Sequence, residues 1–404
     1  MNKMLDLAKI RAAAQVIKPV IKKTPLDFAS YLSERCGRRI FFKLENRQKT
    51  GSFKLRGAYH KLKRLTETEE VRSVITASAG NHGQAVAYAA ALLNLPSTVV
   101  MPQSAAITKI NAAKAYGARV VLTGSSMDDC FAEAFQQHIE KDHHFIHAFD
   151  DLDIIAGQGT VGLELLEQLD ETACVVVPVG GGGLIGGIAA CLKEASPAVK
   201  IIGVEAAGAA SMANAVNLGR IEKLPLAATI ADGIAIQQPG ELTFALVQKY
   251  VDQLVTVPDE EIADAILFAL EKSKLVLEGA GAVTLAALLH NHLELPQGNT
   301  VLVLSGGNID VNQIARIIER GLVRAGRRVR LRVIIPDLPG ALAELMSIVA
   351  SAQANIIEVY HNRLALDLLL NSTEVILNIE TRDQAHACQV IGALKRAGYE
   401  PDQI

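Results

Sequence analysis

The chain has 404 residues, 40 of them basic and 43 acidic, and a net charge of −3 with the two signs interleaved, so no charge bias points to nucleic acid or an anionic membrane as a partner. Half the residues are hydrophobic, only 4% are aromatic and Trp is absent, which suits two or three domains with an Ala/Val/Leu/Ile-packed α/β core. Five cysteines, odd in number and without CxxC spacing, argue against structural zinc or a disulfide framework and for a reducing compartment; no apolar stretch reaches membrane length, and a cytoplasmic protein is expected.

Met1 to Ala14 reads as an amphipathic helix containing Asp6 rather than a signal peptide. Strands are predicted at Ile40–Leu44, Val74–Ala77, Ser97–Met101 and Arg119–Thr123, with helices starting near Ser52, Asn81, Ile107 and Met127. A second set follows at Cys174–Val179, Ile201–Glu205, Leu254–Val257 and Thr300–Leu304, again with helices between. Alternation of this kind means parallel sheets with covering helices, and two sets suggest two α/β domains. Ligands of such sheets bind beyond the strand carboxyl ends, which singles out the loops after Ala77, Val179 and Leu304. Near Gly321–Arg328 a basic, glycine-containing connector is expected. Beyond it Val329–Ile335, Asn355–Asn362 and Glu374–Glu380 read as strands, and Ala341–Ala352 and Arg382–Ala397 as helices. With a last short strand near Tyr399, this βαββα order is the ferredoxin-like pattern, about 77 residues long.

Two features carry chemistry. Lys54 sits in Lys49-Thr50-Gly51-Ser52-Phe53-Lys54-Leu55-Arg56-Gly57-Ala58, where burial would lower its pKa and make the amine nucleophilic. Gly180-Gly181-Gly182-Gly183 follows an apolar strand and precedes a helix, leaving backbone N–H groups free to wrap a phosphate. An amine able to form a Schiff base together with a phosphate cup describes a pyridoxal phosphate (PLP) site. A rival exists, because Gly181–Gly186 also satisfies GxGxxG and Glu205 ends the next strand, as in a dinucleotide site. That reading leaves Lys54 and the Asn81 loop without a role. Gly157–Gly162 matches too, but no buried strand precedes it.

The Lys54 motif, Ser78-Ala79-Gly80-Asn81-His82-Gly83-Gln84, Pro178–Leu184 and Leu304-Ser305-Gly306-Gly307-Asn308 together resemble the fold-type II PLP enzymes, and within them the threonine dehydratases (threonine ammonia-lyases). The resemblance covers residues 1 to about 320. The C-terminal segment resembles an ACT domain, an amino-acid-sensing module, through Asp337-Leu338-Pro339-Gly340-Ala341-Leu342. The implied architecture is a two-domain fold-type II enzyme over 1–320, a small subdomain at about 42–150 inserted in a large one, a linker at 321–327, and a ferredoxin-like ACT domain at 328–404.

The resemblance implies roles residue by residue. Lys54 holds PLP as a Schiff base and, once displaced by substrate, takes the Cα proton. Gly180, Gly181, Gly182, Gly183 and Leu184 hold the cofactor, with Phe53 close to it or filling core. Ser78, Ala79, Gly80, Asn81 and His82 cradle the substrate carboxylate, with the Asn81 amide near the PLP 3′-oxygen. Asn81 as a helix cap and His82 as a structural histidine are the plainer readings. Ser305 faces the pyridine nitrogen, and a hydroxyl there cannot protonate the ring as an aspartate would, which favours β-elimination over racemisation. Serine racemases of this family carry a second serine where this chain has Ala79, and their cation ligands find only Glu205, Ala209 and Ser211 here, so no metal is expected. Glu278 is either a site-facing carboxylate or a solvated one at a helix start. Leu338, Gly340 and Asn355 mark the region where a branched-chain amino-acid effector would bind. The stretch Asn362–Asn371 departs from the hairpin usual there. The implied activity is release of ammonia from L-threonine, and from L-serine, by a homodimer or homotetramer.

Overall fold

The structure, a computed structural model, describes residues 5–141, 143–363 and 368–404. The chain packs as two compact units, Met1–Asp310 and Val311–Ile404. Helix α1 (Leu7–Ile17) is capped by the Asp6 carboxylate, which accepts the Lys9 N–H. It runs on to Ile17 because Ile10, Ala13 and Ile17 form one buried stripe. Met1–Met4, included in the expected helix, lie outside the described residues. Then come β1 (Leu26–Phe28), α2 (Ser30–Cys36) and β2 (Arg39–Leu44). The next elements are α3 (Lys54–Thr68), β3 (Val74–Ala77), α4 (Asn81–Leu92), β4 (Ser97–Met101), α5 (Ile107–Ala115), β5 (Arg119–Leu122), α6 (Met127–Lys141) and β6 (His144–Phe145). Strands in the order β5-β4-β3-β6 make a parallel four-stranded sheet.

The rest of the first unit is α7 (Leu152–Gln168), β7 (Thr172–Pro178), α8 (Gly183–Ala195), β8 (Lys200–Ala206), α9 (Ser211–Leu218), α10 (Glu241–Tyr250), β9 (Gln253–Val257), α11 (Asp259–Phe268), α12 (Gly279–Leu289) and β10 (Asn299–Leu304). The larger sheet runs β1-β2-β10-β7-β8-β9, antiparallel at β1–β2 and parallel elsewhere. Strand β2, grouped by sequence order with the first set, therefore belongs to this sheet: its register with β10 pairs Leu44 with Leu304. Val175, Val176 and Val177 are all buried, as a parallel strand covered on both faces requires. Residues 279–288 of α12 are buried all round, which marks a core helix. The glycines of Gly157–Gly162 lie inside α7. A Cβ on Gly157 would come within 2.6 Å of the Arg56 carbonyl oxygen, and one on Gly159 within 2.8 Å of the Gly187 carbonyl oxygen. They allow α7 to lie flush on α3 and α8.

The second unit contains α13 (Val311–Arg324), β11 (Arg328–Pro336), α14 (Ala341–Ser351), β12 (Asn355–Asn362), β13 (Ser372–Glu380), α15 (Gln384–Arg396) and β14 (Asp402–Gln403). Its antiparallel sheet has the order β12-β13-β11-β14. Val329, Leu331, Val333 and Ile335 alternate onto one face and join Leu345, Val349, Val390 and Leu394 in a core. The expected connector is in part helical: residues 321–324 are the end of α13, and the turn comes at Gly326, with φ +62°. Within the Asn362–Asn371 stretch, Leu364–Asp367 lie outside the described residues. Among the described residues no helix is long and apolar enough to cross a membrane.

Candidate active site

Because β2, β10 and β7 are parallel, the loops that follow them leave the same edge of the large sheet. The loop ahead of α3 is stitched to the turn after β10. Ser52 bridges Gly306, Phe53 N–H donates to Ser305 O at 3.1 Å, and Gly307 N–H donates to Gly51 O at 2.9 Å. Gly51 has φ +73°, and a Cβ there would collide with the Asn308 side chain. Lys54 opens α3 directly after this seam. Its Nζ donates to Ala148 O at 2.9 Å and lies 5.2 Å from the centre of the Phe53 ring. The side chain keeps some exposed surface, yet burial of the amine lowers its pKa to about 8, against the upward pull of Glu278. Phe53 also packs against the core that contains α7 and α8.

The loop after β3 comes to the same place through side-chain amides. Asn81 Nδ2 donates to Glu278 Oε1 at 2.6 Å, and Asn81 Oδ1 accepts from Asn308 Nδ2 at 2.7 Å. Asn308 Nδ2 also donates to Thr50 O at 2.8 Å. Asn81 is the first residue of α4, with Gly80 at the cap position, so its amide is directed to this network rather than to capping. Glu278 is buried, not solvated, and its pKa is raised to about 7 by burial and then by Asp232, opposed by the Asn81 hydrogen bond and by Lys109 and Lys54. The Ser78 hydroxyl accepts the Gly80 N–H at 3.2 Å, and Ala79 is partly exposed between them. Ser305 is buried and donates to Ala280 O at 3.2 Å. His82 Nε2 hydrogen-bonds Ile146 O at 3.1 Å, and its Nδ1 is buried without a partner. Burial first, then the charge of Lys54, pushes its pKa down to about 3, so the ring is neutral.

Gly180, Gly181, Gly182 and Gly183 are all buried, and Leu184 with them. Gly182 caps α8 with φ +90°. Cβ atoms on Gly180, Gly181 and Gly182 would collide with Ile234, the Phe149 ring, and Met212 with Thr243. The loop is thus packed closely from behind, and its backbone is left to line the start of a thirteen-residue helix, where an anion is favoured.

A family model described as pyridoxal-phosphate dependent enzyme matches residues 17–306. The L-threonine ammonia-lyase of Thermotoga maritima is 47% identical over 397 residues, spanning 98% of this chain and 99% of that protein. Among solved structures, maize serine racemase has a TM-score of 0.74 at 34% identity and covers 79% of this chain and 98% of its own. The processed form of threonine deaminase isoform 2 from Solanum lycopersicum has a TM-score of 0.73 at 39% identity, covering 78% and 86%. The chain belongs to the pyridoxal-phosphate dependent enzyme family.

The residues present fit that cofactor. Lys54 carries an amine of lowered pKa, and the Gly180–Gly183 loop is packed so closely behind that a side chain there would collide, which leaves its backbone N–H groups at the start of α8 for an anion. The dinucleotide rival loses its acidic partner, since both Glu205 oxygens accept backbone N–H groups of α9, from Met212 at 2.8 Å and Ala213 at 2.7 Å. Burial raises the Glu205 pKa to about 7 despite those two bonds. Among the described residues no group of three His, Cys, Asp or Glu side chains is placed to hold a metal ion.

Sequence reasoning did not find Asn308 as a partner of Asn81, nor His147, which lies next to the Lys54 acceptor. Asn308 was quotable from its own motif, but nothing local links it to Asn81, 227 residues away. Leu338, Gly340 and Asn355 lie in the second unit. Leu338 is exposed, Gly340 has φ +95° at the cap of α14, and Asn355 opens β12 with its amide 3.4 Å from Glu380 Oε2.

Proposed function

We propose that the chain is an L-threonine ammonia-lyase: it eliminates water from L-threonine, and the product hydrolyses to 2-oxobutanoate and ammonia, with L-serine giving pyruvate by the same route. The observation that carries this reading is the 47% identity, over 98% of the chain, to a protein of that name. It is supported by the contacts that join the Lys54 loop to the turn at Ser305, Asn81 to Asn308 of that turn, and Lys54 to Ala148, whose neighbour Phe149 packs on the Gly180–Gly183 loop. When bound, PLP supplies the electron sink that makes the Cα proton of an amino acid acidic. Gly180–Gly183 and Leu184 bind the phosphate end, Phe53 lies alongside, and Asn81 is aimed by Glu278 and Asn308. The Ser78–His82 loop takes the substrate carboxylate at the start of α4. Lys54, with a pKa of about 8, removes the Cα proton and can return it to the departing hydroxyl. Ser305 faces the ring as a neutral group.

The C-terminal βαββαβ unit supports the reading of residues 328–404 as an ACT domain that senses a branched-chain amino acid near Leu338, Gly340 and Asn355. The unit Met1–Asp310, shorter than the 1–320 expected, forms the catalytic region, with the inserted subdomain at about 42–150. The enzyme works as a cytoplasmic homodimer or homotetramer feeding isoleucine synthesis. Likeness to maize serine racemase keeps racemisation of serine as a second reading. Ala79, which offers no hydroxyl to the opposite face of the substrate, weighs against it.

The test is 2-oxo acid release from a panel of hydroxy amino acids, with chiral analysis of recovered serine. Threonine should be the best substrate and no D-serine should accumulate, whereas Ala79→Ser should produce it. A wild-type enzyme that turns over serine stereochemistry faster than it releases 2-oxo acid would replace this reading with the second.

A further inference from the structure

We propose that His147 is a positioning residue for the Lys54 amine, acting through the backbone carbonyl of Ala148; this rests on the reading of Lys54 as the base. The segment Ile146–Asp150 joins β6 to α7 and passes under Lys54. Every residue around Ala148 is tied down. Ile146 N–H donates to Ile75 O at 2.8 Å, and Ile146 O accepts from His82 Nε2 at 3.1 Å and Thr76 Oγ1 at 2.9 Å. The Phe149 ring lies on Gly181, in the packing behind the glycine loop. The Asp150 carboxylate accepts the N–H groups of Glu241, Leu242 and Thr243 at the start of α10, at 3.0 to 3.2 Å.

The turn itself is closed by His147. Its Nδ1 accepts the N–H of Phe149 at 3.2 Å and of Asp150 at 2.8 Å, so the ring proton sits on Nε2 and the ring is neutral. Its ring meets Phe149 edge-on at 4.7 Å and stacks near Phe131 at 6.3 Å, which leaves the imidazole one orientation. With both following N–H groups held, the Ala148 carbonyl has one direction, and Lys54 Nζ lies 2.9 Å along it. An amine that donates to a fixed oxygen points its lone pair away from that oxygen. The acceptor therefore decides from which side Lys54 can take a proton. The ionisable groups facing Lys54 are Glu278 from the start of α12, His82 from α4 and His147 from this turn. A cationic His147 would lose its acceptor; burial, ahead of the raising effect of Asp150 and Asp151, keeps its pKa below the usual histidine range.

His147→Leu removes the acceptor, His147→Asn offers an amide oxygen near the Nδ1 position, and His147→Gln places its polar end near Nε2 instead. In the holoenzyme, kcat for threonine should fall by about ten- to a hundredfold in His147→Leu with KM within about twofold, and His147→Asn should recover most of it. A second readout uses apoprotein: trace acetylation against pH, read by mass spectrometry on the Lys54 peptide. Losing the carbonyl removes a partner that favours the ammonium, so the labelling midpoint should drop by about half a unit or more in His147→Leu and return in His147→Asn. If His147→Leu does not fold, His147→Gln takes its place in both measurements. A folded variant without the acceptor that keeps the wild-type kcat and midpoint overturns the proposal. Failure of the base reading is seen separately, as an active Lys54→Ala enzyme with His147 intact.

Discussion

The two units of this chain bury polarity in opposite ways. The first buries Lys43, Glu45, Arg56, Glu164, Glu205 and Glu278, ionisable groups held mostly beside the carboxyl edge of its large sheet or the helices packed on it. In the second, the buried polar side chains among the described residues are Thr373, Thr381 and His386; its Arg332–Glu374 pair is half-buried on the sheet and its Arg363–Asp337 pair lies toward solvent. Burying charge is costly unless it is paired, so a fold keeps it where geometry has to be fixed. The antiparallel unit has an alternating core on one sheet face and needs no such device to hold its shape. The contrast ties the chemistry to the first unit and makes the second separable in principle.

The largest effect expected from this contrast is at Lys54. Lys54→Ala should lower 2-oxo acid release by about a hundredfold or more, as loss of a positioned proton-transfer group does. The Gly180–Gly183 cradle is untouched by that change, so the variant should still capture PLP without a covalent bond, measurable as cofactor retained on gel filtration. Activity above about a hundredth of wild type would remove the base role.

Next in size is the buried charge network behind Lys54. Arg56 grips Glu45 with two nitrogens, at 2.8 and 2.7 Å, and Glu164 at 2.7 Å, while Lys43 holds the other Glu164 oxygen. The network pins both flanks of the Lys54 loop, Glu45 before it and Arg56 after it, to α7. Arg56→Met leaves buried Glu45 without its ion-pair partner and Glu164 with Lys43 alone, and should cost about 3–5 kcal/mol in denaturant unfolding. Arg363→Ala, which breaks a 3.0 Å pair with Asp337 on the exposed surface of the second unit, should cost less than about 1 kcal/mol. Similar losses at the two sites would dissolve the comparison.

How much of this was legible in the sequence follows the same division. The glycine run, Ser78–His82 and Ser305 each follow a strand, and the rule that parallel sheets bind ligands at their carboxyl edge singled out those three loops; Lys54 was legible from its own motif instead. The N-terminal residues of α4, α5 and α6 were read to the residue, each following the loop that ends a strand. Contacts between distant segments were not legible. The Asn81–Glu278 bond joins residues 197 apart, and Glu278 read equally well as a solvated side chain. Arg56 looked like one more motif residue, although its two carboxylates lie 11 and 108 positions away. The helix α13 was overlooked because Gly321 and a run of arginines disguised its apolar stripe as a connector.

A smaller effect should appear with pH. His82 has a folded-state pKa of about 3 against an ordinary 6.5. Between those values the unfolded chain binds the extra proton, so stability should fall as pH is lowered from about 6.5 toward 3. Glu205, raised from 4.5 to about 7, acts with the opposite sign: its burial opposes folding increasingly as pH rises from 4.5 through 7. Melting scans across this range, repeated on His82→Asn and Glu205→Gln, should separate the two slopes. A His82→Asn variant with the wild-type acid slope would show that the neutral buried ring is not its cause.

The smallest expected change in basal turnover comes from removing the second unit. The candidate site residues all precede Asp310, and the chain divides between Asp310 and Val311 rather than at the glycine-rich turn. A stop after residue 310 should therefore be better behaved than one near Gly326, which would strand α13, a helix with one apolar stripe, away from the β11 strand it packs on. The shortened enzyme should keep threonine turnover within about twofold while losing any response to isoleucine or valine. An effector shifts activity only by binding two states unequally, so the response must disappear with the unit that binds it. Light scattering alongside effector titration tells regulation from assembly. If the full chain ignores branched-chain amino acids and truncation alters only its mass, the second unit serves to hold subunits together. If turnover itself collapses in a folded, cofactor-loaded truncation, the first unit is not self-sufficient and the contrast in buried charge does not mark where function resides.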